Sequence, residues 1–276
     1  MRPGFLALLL LAAPPLSAWG ALGHRLLAVG ALRDLPPGLA GWYRGREGEV
    51  ADHAVDPDRW RASDPLEGPR HYLDSEAYGG PAAVPRDPEA AWARLGPAGF
   101  LRAGQVPWVI QARALDLVRA FQAGDRERVL LATAWLSHYV GDLQVPLHTT
   151  ADSDGEGTGQ AGIHARWESD LLARLEAQDP FRPEVRPAEP GPDPLGLPWR
   201  WLEEAYGLVE EVLAADRTAQ AAAAAAGEPG YGPVYWALFE ALQGARLRDR
   251  LTLSAQRTVD LVRWAWNAAG SPGAGL

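Results

Sequence analysis

Val129-Leu-Leu-Ala-Thr-Ala-Trp-Leu-Ser-His-Tyr-Val-Gly-Asp142 repeats its apolar residues at helical spacing and predicts an α-helix. His138 and Asp142 stand four residues apart on it, which stacks their side chains on one face. Leu131 and Trp135 share that face, so it is expected to be the buried one. A buried histidine beside a buried aspartate needs a partner, and a divalent cation satisfies both at once. Pro146 is expected to end the helix, and His148 follows in Pro146-Leu-His148.

The same periodicity recurs outward in both directions, over Leu22 to Leu32, Val109 to Phe121, Trp201 to Val212 and Leu251 to Trp266. Helix stops or loops fall at Pro36–Pro37, Gly79–Gly80–Pro81, Gly124–Asp125 and Gly227 to Gly232. Strand-like alternation is hard to find. The Pro-rich stretch Asp179 to Pro198 is expected to run irregularly over the surface. No repeat or composition shift divides the chain, so an all-α single domain is expected across 19–276.

Composition narrows the chemistry. An apolar fraction of 47% is ample for a packed core. Cysteine is absent, which removes disulfides, thiolate metal sites and cysteine nucleophiles together. All 26 basic residues are Arg, so lysine-based catalysis is excluded as well. Residues 1–18 read as a signal peptide: Arg2 supplies the positive start, Phe5 to Ala13 a short apolar run, and Pro14 to Ala18 a helix-breaking end. Cleavage after Ala18 would make Trp19 the first residue of a secreted or periplasmic protein. The apolar run is too short to span a bilayer and no later segment qualifies, so no transmembrane anchor is expected. Loss of Arg2 takes the net charge from −9 to −10. That charge disfavours non-specific duplex binding, but a site holding bound cations can still attract a polyanion.

Six histidines remain to be explained: His24, His53, His71, His138, His148 and His164. His164 and Glu168 repeat the helical i, i+4 pairing of His138 and Asp142. Either pair alone reads most simply as a helix-surface contact; two pairs bracketing His148 read as a metal site. Pro69-Arg-His-Tyr-Leu-Asp74 adds His71 as a further ligand of the right type. A lone histidine such as His24 on an apolar helix face is more often a core residue, and His53 has no motif around it. Asp152-Ser-Asp-Gly-Glu-Gly157 lacks the carboxylate an EF-hand needs at its twelfth position, where Ile163 stands, and reads as a flexible loop. Phosphate-cradling loops, dinucleotide fingerprints, G-x-S-x-G and H-E-x-x-H are absent.

Trp19-Gly-Ala-Leu-Gly-His24, His138-Tyr-Val-Gly-Asp142, Pro146-Leu-His148 and His164-x-x-x-Glu168 together resemble the single-strand-specific trinuclear-zinc nucleases of the S-one/P-one type. Those share a superfamily with the zinc-dependent bacterial phospholipases C. The resemblance spans Trp19 to Glu168 and implies three Zn2+ ions. His71, His138 and Asp142, with an upstream aspartate, would hold one. His148, His164 and Glu168 would hold its neighbour and leave positions open for water. His24, a bridging Asp142 and the free amine and carbonyl of Trp19 would hold the third, which makes leader removal part of site assembly. Asp52, Asp56 and Asp58 compete as the upstream ligand. Asp58 is chosen because Asp58-Arg-Trp-Arg61 resembles the family's aspartate followed three residues later by a basic residue facing the substrate phosphate.

The implied activity is phosphodiester hydrolysis of single-stranded DNA or RNA, which leaves a 3′-nucleotidase activity open beside it. Zinc lowers the pKa of bound water to about 7 and supplies hydroxide, and ions about 4 Å apart clamp the phosphate oxygens. Arg61 would offset charge on the equatorial oxygens. Tyr72 and Asp74 align with the family positions that stack on and hydrogen-bond a base; ordinary packing is the simpler reading of Tyr72 alone. The short interval from Trp19 to His24 resembles the nucleases, whereas Glu168 stands where they carry aspartate and leaves phospholipase C as an alternative. A non-catalytic extracellular zinc-binding protein is the alternative of another class. No stable protein partner is implied.

Overall fold

The computed structural model describes residues 19–186 and 191–274, so the expected leader over 1–18 lies outside the described residues. Four helices open the described chain: α1 (Gly20–Ala31), α2 (Pro37–Tyr43), α3 (Glu47–His53) and α4 (Asp56–Trp60). Then come α5 (Pro88–Ala103), α6 (Val106–Ala123), α7 (Arg126–Asp142), α8 (Ile163–Ala165) and α9 (Leu171–Gln178). Helices α10 (Leu197–Tyr206), α11 (Val209–Ala225) and α12 (Pro233–Ala268) complete the set. Among the described residues there is no strand, only an isolated antiparallel bridge between Leu73 and Gly104. The fold is all-α.

Local chemistry sets several of these boundaries. Asp87 and Asp125 accept hydrogen bonds from the first free backbone N–H groups of α5 and α7. Gly124 ends α6 in the left-handed conformation, at φ 64°. The 36 residues of α12 make a rod about 54 Å long, against which α1, α6, α7 and α11 pack. One apolar cluster gathers Trp42, Phe121, Leu136 and Val262, and a second gathers Trp19, Trp167, Tyr235 and Phe239.

The structure corrects several sequence expectations. Trp201 to Val212 is not one helix: it breaks at Gly207–Leu208 between α10 and α11. α7 stops at Asp142, four residues before Pro146, because Gln144 N and Val145 N turn back to the carbonyls of Gly141 and Asp142 in a tighter winding. Beyond the first turn of α7, Leu131 and Trp135 are the residues left half-exposed, while everything from Leu136 to Asp142 is buried. His138 and Asp142 are therefore buried because the end of α7 is surrounded on all sides, not because one stripe faces inward. In the Pro-rich stretch Pro183 and Val185 are buried, and Leu197 already begins α10.

One glycine fixes the wall of the site. Gly104 has φ +85° and ψ 172°, a region open to glycine alone, and a Cβ there would lie 2.2 Å from the carbonyl oxygen of Tyr72. The close approach lets Asp74 N reach Ala103 O at 2.7 Å and Val106 N reach Tyr72 O at 3.2 Å. Gly104→Ala is expected to cost ~3 kcal/mol, a fall of about 6–12 °C in Tm at this size. Gly45→Ala is the comparison, since Gly45 shares the positive φ but a Cβ there would meet nothing within 4 Å. Equal losses in the two variants would show that the contact with Tyr72 adds nothing.

Candidate metal centre

Three sets of side chains converge at the buried end of α7. His24, His138 and Asp142 form the first, Asp58, His71 and His138 the second, and His148, His164 and Glu168 the third; within each set the ligand-type atoms lie within 4.8 Å of one another. Asp142 joins the first two, with Oδ1 3.4 Å from His24 Nε2 and Oδ2 2.9 Å from His71 Nδ1 and 3.3 Å from His138 Nε2. In the third set, Glu168 Oε2 lies 3.2 Å from His164 Nε2 and 3.5 Å from His148 Nε2. The third set is tied to the second by His148 Nδ1, which donates to the carbonyl of His71 at 2.8 Å.

Each element contributes by its position in the chain. α1 presents His24 and α7 presents His138 and Asp142. The turns Gly68–His71 and Pro146–Thr149 present His71 and His148. His164 and Glu168 bridge α8 and a single π turn over Arg166–Asp170, an irregularity often found at functional sites. Of the competing aspartates, Asp58 is the one the fold brings here, 3.9 Å from His71 Nδ1. Asp52 pairs with Arg25 on the surface, and Asp56 is engaged by His53, Arg59 and the indole of Trp135. His53 stays outside the cluster, half-exposed beside Asp56.

Trp19 is fully buried against the first set. Its indole N–H donates to Gly141 O at 2.7 Å, its carbonyl accepts from Gly23 N at 3.0 Å, and its ring packs 5.6 Å from that of Trp167. It thus links α1, α7 and the segment that carries Glu168. Its left-handed backbone, at φ 47°, is unusual for a tryptophan.

The donor set fits a cation. His138 Nδ1 is 2.8 Å from the carbonyl of Ala54, and His164 Nδ1 is 3.1 Å from that of Ser153. With the Nδ1 protons of His138, His148 and His164 committed to carbonyls, their Nε2 lone pairs point inward, and those of His148 and His164 face each other at 3.1 Å. Both nitrogens of His24, Asp58 Oδ1, Asp142 Oδ1 and Glu168 Oε2 are buried without a hydrogen-bond partner. Converging lone pairs and orphaned carboxylate oxygens repel one another unless a positive ion lies among them.

Burial and charge shape the titration of these groups. Burial, reinforced by the neighbouring His138, holds His24 well below the usual histidine range. Burial pushes Asp142 upward, but His138 and His71 outweigh it and keep the carboxylate ionised. For His71 burial acts downward and is overcome by Asp142 and Glu67, which raise it to about 9.

Arg61, Tyr72 and Asp74 line a cavity of about 250 Å³ with His71, His148 and His164 on its floor. Arg61 lies 3.7 Å from Asp58, and the Tyr72 hydroxyl donates to the carbonyl of Arg102 at 3.2 Å. Burial, with Glu76 nearby, pushes the Asp74 carboxyl up to about 7. A carboxyl that is harder to ionise folded than unfolded destabilises the fold once pH rises above its unfolded pKa, near 4. Asp74→Asn is therefore expected to raise Tm relative to the parent at pH 8, the gap closing toward pH 4.5. A gap that stays constant across a pH series of thermal melts would contradict that ionisation.

Glu67 is a site residue the sequence did not disclose. It is 1% exposed, lies 3.4 Å from His71 Nε2, and accepts from Arg70 and from the hydroxyl of Tyr139. Its i, i+4 relation to His71 was the available signal, but Gly68-Pro69 between them reads as a turn rather than a helix face.

No family model matches the chain. It is 26% identical over 191 residues to Endonuclease 2 of Arabidopsis thaliana, the match covering 61% of this chain and 61% of the relative. The chain therefore aligns with about three fifths of that relative's length. Among solved structures, the alpha toxin from Clostridium absonum has a TM-score of 0.52 at 11% identity, covering 91% of this chain and 65% of that one. At that identity the likeness shows the fold alone. The relative is by name an endonuclease, in keeping with the nucleases that the motifs resemble, and the solved structure bears on the fold alone.

Proposed function

We propose that this chain is a zinc-dependent phosphodiesterase that cleaves single-stranded nucleic acid. The observation that carries the reading is the buried convergence of five histidines with Asp58, Asp142 and Glu168 beneath a cavity walled by Arg61, Tyr72 and Asp74. The 26% identity to a plant endonuclease supports the nuclease branch.

Asp58, His71, His138 and Asp142 would hold one ion and His148, His164 and Glu168 another. His24 and Asp142, with the amine and carbonyl of Trp19, would hold a third once the leader is removed on export. When bound, zinc supplies Lewis acidity toward phosphate oxygens and makes water nucleophilic near neutral pH. The protein's own groups do the positioning. Arg61 binds a phosphate oxygen and offsets charge there. Tyr72 gives an unstacked base an aromatic face, and Asp74 holds its edge by hydrogen bonds. A duplex keeps its bases stacked and unavailable to Tyr72, which accounts for single-strand preference.

The test uses protein beginning at Trp19, assayed with and without chelator on single-stranded DNA and RNA, on duplex, and on a short-chain phosphatidylcholine. Chelator-sensitive release of nucleotides from single strands, with the lipid untouched, is the expected result. Lipid cleavage without nucleotide release would replace it with the phospholipase C reading, which Glu168 favours. Bound zinc with no turnover of any substrate would make the chain a zinc-binding protein rather than an enzyme.

A further inference from the structure

Resting on the metal reading above, we propose that Glu67 is a positioning residue that fixes the proton of His71 on Nε2 and so presents Nδ1 as the ligand atom.

Among the histidines of the first and second sets, His71 is the one that meets Asp142 through Nδ1 rather than Nε2. That atom lies 2.9 Å from Asp142 Oδ2, 3.0 Å from His138 Nε2 and 3.9 Å from Asp58 Oδ1. A cation held there takes the Nδ1 lone pair, so the ring proton must sit on Nε2. Nε2 is buried and makes no hydrogen bond of good geometry, and the carboxylate 3.4 Å from it is Glu67. His138, His148 and His164 have their remote nitrogens held by backbone carbonyls, which a side-chain substitution cannot remove. For His71 the same task falls to a side chain.

Glu67 is braced for it. The Tyr139 hydroxyl donates to Oε1 and Arg70 Nη1 donates to Oε2 at 2.5 Å. Tyr139 follows His138 directly on α7, and its ring packs 5.5 Å from the ring of His71. The brace thus ties the turn bearing His71 to the helix bearing two of its partners. A carboxylate accepting from the far nitrogen of a ligating histidine fixes ring orientation and strengthens the ligand, and its loss weakens metal binding about 10–100-fold.

The test measures zinc affinity and stoichiometry, by competition with a chelating dye, in the parent, Glu67→Ala, Glu67→Gln and Tyr139→Phe. Ring-nitrogen NMR of His71 in the metal-free proteins, where no cation dictates the tautomer, reports which nitrogen carries the proton. In Glu67→Ala one ion is expected to weaken about 10–100-fold, with the Nε2 proton signature lost or split, while the remaining stoichiometry holds. Glu67→Gln keeps a carbonyl acceptor and is expected to recover most of the affinity. Tyr139→Phe loosens the brace without touching the carboxylate and should fall between them, so the inference is tested even if the alanine variant folds poorly. Parent-like zinc affinity and an unchanged Nε2 proton in the alanine and phenylalanine variants would overturn it. A parent protein that binds no zinc would instead overturn the metal reading itself.

Discussion

His148→Ala and Glu168→Ala are each expected to reduce nucleic-acid hydrolysis by at least a factor of about a thousand, or about 4 kcal/mol of transition-state stabilisation. The two residues share the set completed by His164, where Glu168 Oε2 faces both ring nitrogens. Removing either leaves two protein groups on that ion, too few to hold it in place against water. The helical fold should survive. His148 sits in the short turn Pro146–Thr149, and Glu168 stands on a π turn whose neighbours Trp167 and Leu171 remain packed in the core. Circular dichroism should match the parent while turnover disappears. Rates within tenfold of the parent in either variant would remove this set from the reaction.

Stripping metal with a chelator is expected to lower Tm by about 10 °C or more, and added zinc should restore it. A ligand held at a thousand times its dissociation constant stabilises the native state by about 4 kcal/mol, worth ~2–4 °C per kcal/mol at this size. The effect should be large because the liganding groups are buried: His24, His138 and Asp142 are all 0% exposed. Without a cation, the inward lone pairs and the orphaned oxygens of Asp142 and Glu168 face one another in a medium that cannot solvate them. The chain also contains no cysteine, so no disulfide masks the loss. Melts superimposable with and without chelator would mean that the histidines come together for packing alone.

The sequence by itself determined the fold class, because helical periodicity is a local property: residues three and four apart share a face whatever surrounds them. It also marked the ligand-type residues, since His138 with Asp142 and His164 with Glu168 are pairs within one segment and cysteine was excluded by composition. Tertiary structure decided what depends on distant partners. Asp52, Asp56 and Asp58 are indistinguishable by type; only the packing of α4 against α7 turns Asp58 toward His71, while that of α3 against α1 leaves Asp52 with Arg25. Glu67 became visible only when a Gly-Pro turn folded it beneath His71 and beside Tyr139, 72 residues further along the chain. The buried state of His138 likewise came from α1, α3 and α12 closing around the end of α7, which no periodicity within α7 could encode. Spacing along a chain fixes which side chains can share a face; the direction each one points, and what it meets there, is set by segments that touch only after folding.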